Sequence, residues 1–143
     1  MDNASPARLY ALVVGAVLVV AGIIGFFYNG HFGSGDNVFG NDTSHDVFGI
    51  LAVNGWHNVV HLATGALGLL AVGYAARTYA LGLGAVYIVV AVWGFIVGNG
   101  DSILSIVPVN TEDNVLHLLL GVTGILAGLA TTERGEAPVT AAT

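Results

Sequence analysis

The chain has no cysteine and no lysine. The first absence excludes disulfides, thiolate metal ligands and thiol catalysis. The second leaves Arg8, Arg77 and Arg134 as the whole basic complement. With a net charge of −6 and no basic cluster, no nucleic-acid partner is expected, and no polybasic lipid-binding patch. Charge of either sign is scarce, at 8% of residues against about 25% in soluble domains. What remains is apolar: 55% of 143 residues are hydrophobic, and the mean hydropathy is +0.82. That is the composition of a membrane protein, with little chain left for a separate soluble domain.

A bilayer core takes about 20 apolar residues of helix. Four segments qualify, at about 8–28, 54–74, 78–98 and 111–132. They are related in pairs. RLYALVVGAVLVVAGIIGF (8–26) aligns without a gap to RTYALGLGAVYIVVAVWGF (77–95), sharing Arg8/Arg77, Tyr10/Tyr79, Gly15/Gly84 and Gly25/Gly94 among others. VNGWHNVVHLATGALGLLA (53–71) aligns to VNTEDNVLHLLLGVTGILA (109–127), sharing Asn54/Asn110, Asn58/Asn114, His61/His117, Gly65/Gly121 and Gly68/Gly124. The expected fold is an all-α membrane protein, one integral membrane domain over 1–143. Its four transmembrane helices form two parallel-repeat helix pairs, about 8–74 and 77–132, with a pseudo-two-fold axis along the membrane normal. The likeness of 8–26 to an internal span favours a retained helix over a cleaved signal peptide.

All three arginines fall on one side of a four-span arrangement. The positive-inside rule makes that side cytoplasmic, so both termini are expected inside and the two long loops outside. The apolar stretches VFGILAV and SILSIVPV are too short to span and are expected along the interface. Tyr10 and Tyr79 are expected as inner interfacial anchors, Trp56 and Trp93 as outer ones. His31 and His45, with Asp36, Asp42 and Asp46, read as solvated turn residues.

At 100° per residue, Asn54, His57, Asn58 and His61 share one helical face with Gly65 and Gly68. Asn110, Asp113, Asn114 and His117 do the same above Gly121 and Gly124. A polar face is costly in lipid, so both stripes should point into the bundle. Asn54 and Asn110 sit where helices begin, and Asn is a preferred N-cap. Asn58 and Asn114 suit interhelical hydrogen bonding. His57 and His61 form H-x-x-x-H, and Asp113 and His117 form D-x-x-x-H. Three imidazoles and a carboxylate make a sensible zinc-like set. His61 and His117 also suit axial haem ligation, with Gly65 and Gly121 making room for the ring.

The arginine-led span, the stretch VNGWHNVVHLATGALGL and the stretch NTEDNVLHLLLGVTGIL together resemble a bacterial family of small four-span membrane proteins known only as domain of unknown function 4383. The resemblance covers about 8–130. It implies four helices in the inner (plasma) membrane, and it implies no activity.

Three functions compete. The first is a structural or accessory membrane protein whose stripe is internal glue and whose loops meet a membrane partner or another copy. The second is a protein binding a divalent metal, or haem, at His57, His61, Asp113 and His117, open to the outside. The third is a transporter or channel subunit. No charged residue lies at mid-depth in any span, which disfavours transport. No Ser–His–Asp or Cys–His set is recognisable, so the sequence leans away from an enzyme.

Overall fold

Ser5 starts the first helix. Its hydroxyl accepts from the Arg8 N–H, and Pro6 follows at a position where no N–H is needed. The computed structural model describes residues 5–32, 46–99, 101–104 and 106–132, so His45, Asp36, Asp42 and Arg134 lie outside the described residues. The element order is α1 (Pro6–Tyr28), β1 (Asp46–Val47), β2 (Leu51–Ala52), α2 (Gly55–Ala71), α3 (Ala76–Val97), β3 (Asp101–Ile103), β4 (Val107–Val109) and α4 (Thr111–Leu129). A helix, a two-stranded antiparallel hairpin and a second helix therefore occur twice in succession.

Three helices are long and apolar enough to cross a membrane. They are α1, α3 and α4, with mean hydropathies of 2.6, 2.4 and 1.2. The second helix stops at Ala71, short of residue 74. The Tyr74 and Ala75 N–H groups turn back onto the Ala71 carbonyl, leaving α2 only 17 residues. That is about 25 Å of helix against a hydrocarbon core of about 30 Å.

The expected interfacial segments are hairpins. Asp46 pairs with Ala52 and Val47 with Leu51; Ser102 pairs with Pro108 and Ile103 with Val107. Each turns through a left-handed residue just after its first strand, Phe48 (φ 55) and Leu104 (φ 54). Runs this short have no period to distinguish strand from helix. Val47, Ile103 and Val109 pack inward and are buried, while Ile50 at the first hairpin's turn is exposed.

Packing is closest within α1–α2 and within α3–α4. A Cβ on Gly15 would lie 3.0 Å from the Gly65 carbonyl oxygen and 3.0 Å from the Leu69 nitrogen. On Gly84 it would lie 2.9 Å from the Gly121 carbonyl oxygen and 2.8 Å from the Ile125 nitrogen. These glycines let backbones touch. Gly65 and Gly121 are filled in the same way, by the Gly15 and Gly84 carbonyls, so they leave no slot for a haem ring.

The expectation for Tyr10 and Tyr79 is corrected. Neither is an interfacial anchor. Tyr10 reaches from α1 to α4, its hydroxyl donating to the Leu120 carbonyl at 2.9 Å; Tyr79 reaches from α3 to α2, donating to the Thr64 carbonyl at 3.0 Å. Gly124 and Gly68 make the space for those hydroxyls. Both acceptors lie one residue N-terminal of a glycine on the facing helix, where no side chain blocks the approach. The rings sit 6.4 Å apart at the centre of a core that includes Ala7, Ala11, Val14, Ala80 and Leu83. Arg8 and Arg77 lie together at the end of the bundle away from the hairpins. Each donates to a carbonyl near the C-terminus of its packed helix, Gly73 and Gly128.

Candidate functional site

The site lies where α2 and α4 start, directly beneath the hairpins. Asn54 caps α2 by accepting from the His57 N–H, and Asn110 caps α4 by accepting from the Asp113 N–H. Each cap side chain also donates across the molecule, Asn54 to the Ile106 carbonyl at 2.8 Å and Asn110 to the Ile50 carbonyl at 2.6 Å. Each helix start is thus tied to the hairpin of the other half. Trp56 donates to the Phe32 carbonyl, and His31 is exposed beside it.

One turn deeper, Asn58 donates to the Asn29 carbonyl at 2.8 Å. Its Oδ1 occupies the space above Gly25 that a side chain would fill, and Asn114 does the same above Gly94. Neither oxygen has a conventional hydrogen-bond donor, so the contact to the glycine Cα–H is what each receives. The asparagines therefore serve as caps and interhelical ties.

The three stripe histidines converge. His57, His61 and His117 each offer one ring nitrogen, and these nitrogens all lie within 4.8 Å of one another. Ring centroids are 4.3 Å apart for His57–His61 and 6.0 Å for His57–His117. His57 is oriented by its Nδ1, which lies 2.9 Å from the Ala52 carbonyl oxygen. A carbonyl only accepts, so Nδ1 carries the proton and Nε2 keeps its lone pair. This backbone-oriented imidazole is the arrangement usual for metal-ligating histidine. The Nδ1 atoms of His61 and His117 are buried without a partner. Tyr87 stacks on His117, with rings 5.1 Å apart and 17° from parallel.

Asp113, the fourth residue of the sequence-derived ligand set, stands outside this triad. Its Oδ2 accepts from the Ala52 N–H at 2.9 Å. The reason for a carboxylate here, where α2 carries His57, is legible in the hairpins. Ala52 of β2 corresponds to Pro108 of β4 in the matching registers. Pro108 has no N–H to offer, so the position occupied by His57 has no donor to satisfy.

Nor does the site open directly outward beneath a bare loop. Ala52, Val53 and Val109 are buried above it, and the cluster borders two lateral grooves. One, of about 440 Å³, runs between α1 and α4; the other, of about 80 Å³, runs between α2 and α3. His61 and His117 line both. Sequence reasoning missed Tyr87 and the hairpins. The signal for Tyr87 was there, as a polar aromatic facing Leu18 in the alignment of spans one and three.

Such an architecture defines a class: a helical protein of membrane character, with three helices long and apolar enough to cross a membrane and a histidine cluster near one end. Within that class, residues 8–130 match the family model described as a domain of unknown function, DUF4383, and the chain belongs to that family. No curated protein and no solved structure matches it.

Proposed function

We propose that this is a four-span protein of the bacterial inner membrane, built from two duplicated helix pairs, that binds a transition-metal ion through His57, His61 and His117. One observation carries the metal reading: three imidazoles meet in the bundle interior, and two of them keep a buried nitrogen without a partner. A buried polar atom left unpaired costs about 1–3 kcal/mol; Asn58 and Asn114 also keep an oxygen without a donor, but of the stripe residues the three histidines are the ones that converge. Three imidazoles with an open fourth position suit zinc or copper. Tetrahedral zinc, with bonds of about 2.0–2.1 Å, holds its nitrogens about 3.3 Å apart. The triad therefore closes by small ring rotations on loading.

The duplication is supported by the repeated element order, by the crossed tyrosine bonds and by the crossed asparagine bonds. As the fourth span, α2 is supported by its apolar outward face, where Val59, Val60, Leu67 and Leu70 are exposed, and 17 residues is the lower limit for spanning. Arg8 and Arg77, together at the end away from the hairpins, support cytoplasmic termini and a histidine site near the outer leaflet. Asn54, Asn58, Asn110, Asn114 and Asp113 are the structural part of the stripe.

Tag-free protein purified in detergent should carry, or take up from a zinc or copper buffer, one metal equivalent per chain by elemental analysis. His61→Ala and His117→Ala should lose it while keeping their elution volume. Absence of any saturable equivalent in the wild-type protein would overturn the metal reading.

A further inference from the structure

The two lateral grooves are counterparts. Val17, Leu18 and Ala21 of α1 line the first where Val86, Tyr87 and Val90 of α3 line the second, while His61, His117 and Tyr87 border both. Tyr87 for Leu18 and Val90 for Ala21 put larger side chains in the second groove. That accounts for about 80 Å³ of space against about 440 Å³ in the first. Of these two grooves, the first falls in the size range of small-molecule sites, about 300–1,000 Å³.

Its chemistry is narrow. Apart from His61, His117, Asp113 and Tyr87, the lining is aliphatic or aromatic. No arginine lines it, and the chain has no lysine. An anionic head, whether a lipid phosphate or a fatty carboxylate, would find no cation there and would meet the Asp113 carboxyl. A neutral head that accepts hydrogen bonds suits the imidazoles, two of which carry an unpartnered nitrogen. The aliphatic walls formed by Ala16, Val20, Ile24, Leu116 and Leu120 suit a flat ring followed by a branched hydrocarbon tail.

We propose that the α1–α4 groove binds a neutral isoprenoid quinone from the membrane, its ketone oxygen accepting from His61 or His117. The proposal rests on the membrane placement argued above and shares His61 and His117 with the metal reading, each imidazole having two ring nitrogens, one for a metal and one to donate.

The test is binding of decyl-ubiquinone to the full chain in lipid nanodiscs, measured by equilibrium partition with and without chelator. Saturable binding at one equivalent is expected. Ala21→Phe, which fills the groove from its α1 wall, should weaken it by about tenfold or more while metal content is unchanged. Should Ala21→Phe not fold, Ala16→Phe blocks the same wall from a more exposed position. No saturable binding to the wild-type protein would overturn the proposal, as would binding indifferent to Ala21→Phe and Ala16→Phe. Equal displacement by phosphatidylglycerol would also overturn it and make the groove a lipid seat. Metal content measured on the same samples separates failure here from failure of the metal reading.

Discussion

Asp113→Ala distinguishes a structural carboxylate from a metal ligand. In the structure Asp113 Oδ2 accepts from the Ala52 N–H at 2.9 Å, with both residues buried and the hairpin held against the start of α4. Truncation removes a hydrogen bond to a charged or strongly polar acceptor and leaves a buried N–H without it. Such losses run to about 2 kcal/mol, which is roughly a thirtyfold shift in the folded-to-unfolded ratio. The N-cap of α4 is untouched, because Asn110 supplies it. Asp113→Asn keeps an acceptor oxygen and should recover about half of the loss. The assay is reversible unfolding in mixed micelles, read by circular dichroism, with metal content measured in parallel. The expected outcome is a destabilised variant that still binds one metal equivalent. A variant as stable as the wild-type protein, or one that keeps its stability and loses its metal, would refute the assignment.

The glycine seams and the crossed tyrosines give further tests. Gly15→Ala and Gly84→Ala place a methyl group within about 3 Å of facing backbone and should each destabilise the bundle by about 1–3 kcal/mol. Gly82→Ala, on the same helix as Gly84 but with nothing within 4 Å, should be neutral or stabilising by up to about 1 kcal/mol; equal effects at positions 82 and 84 would contradict the packing. Tyr10→Phe and Tyr79→Phe each remove one crossed bond and should cost about 1 kcal/mol apiece in the same unfolding assay. Unchanged stability in both would show that the hydroxyls contribute nothing to joining the halves.

Much of the architecture was legible in the residues. Apolar length marks the helices, and the recurring Asn and His set marks which faces turn inward. Asn54 and Asn110 act as the caps their positions suggest. What escaped is what depends on distant partners. The hairpins are too short to carry a period, so the stretches around Val47 and Val107 read only as apolar segments along the interface. Tyr10 and Tyr79 sit near helix ends, where tyrosine commonly meets the interface; only the facing glycines, Gly124 and Gly68, reveal that they turn inward. Asp113 shares a helical face with His117, and spacing alone makes it a ligand. Its real partner, the Ala52 N–H, comes from a hairpin in the other half of the chain. The histidines were found because H-x-x-x-H fixes two imidazoles on one face whatever the tertiary structure does.

The central claim is that three imidazoles hold one metal ion. X-ray absorption at the zinc edge of tag-free, zinc-loaded protein tests it most directly. The account predicts a first shell of three histidine nitrogens at about 2.0–2.1 Å with one further light ligand, falling to two nitrogens or to loss of zinc in His57→Ala. A shell made only of oxygens, or one unchanged when His57, His61 and His117 are all replaced by alanine, would contradict it.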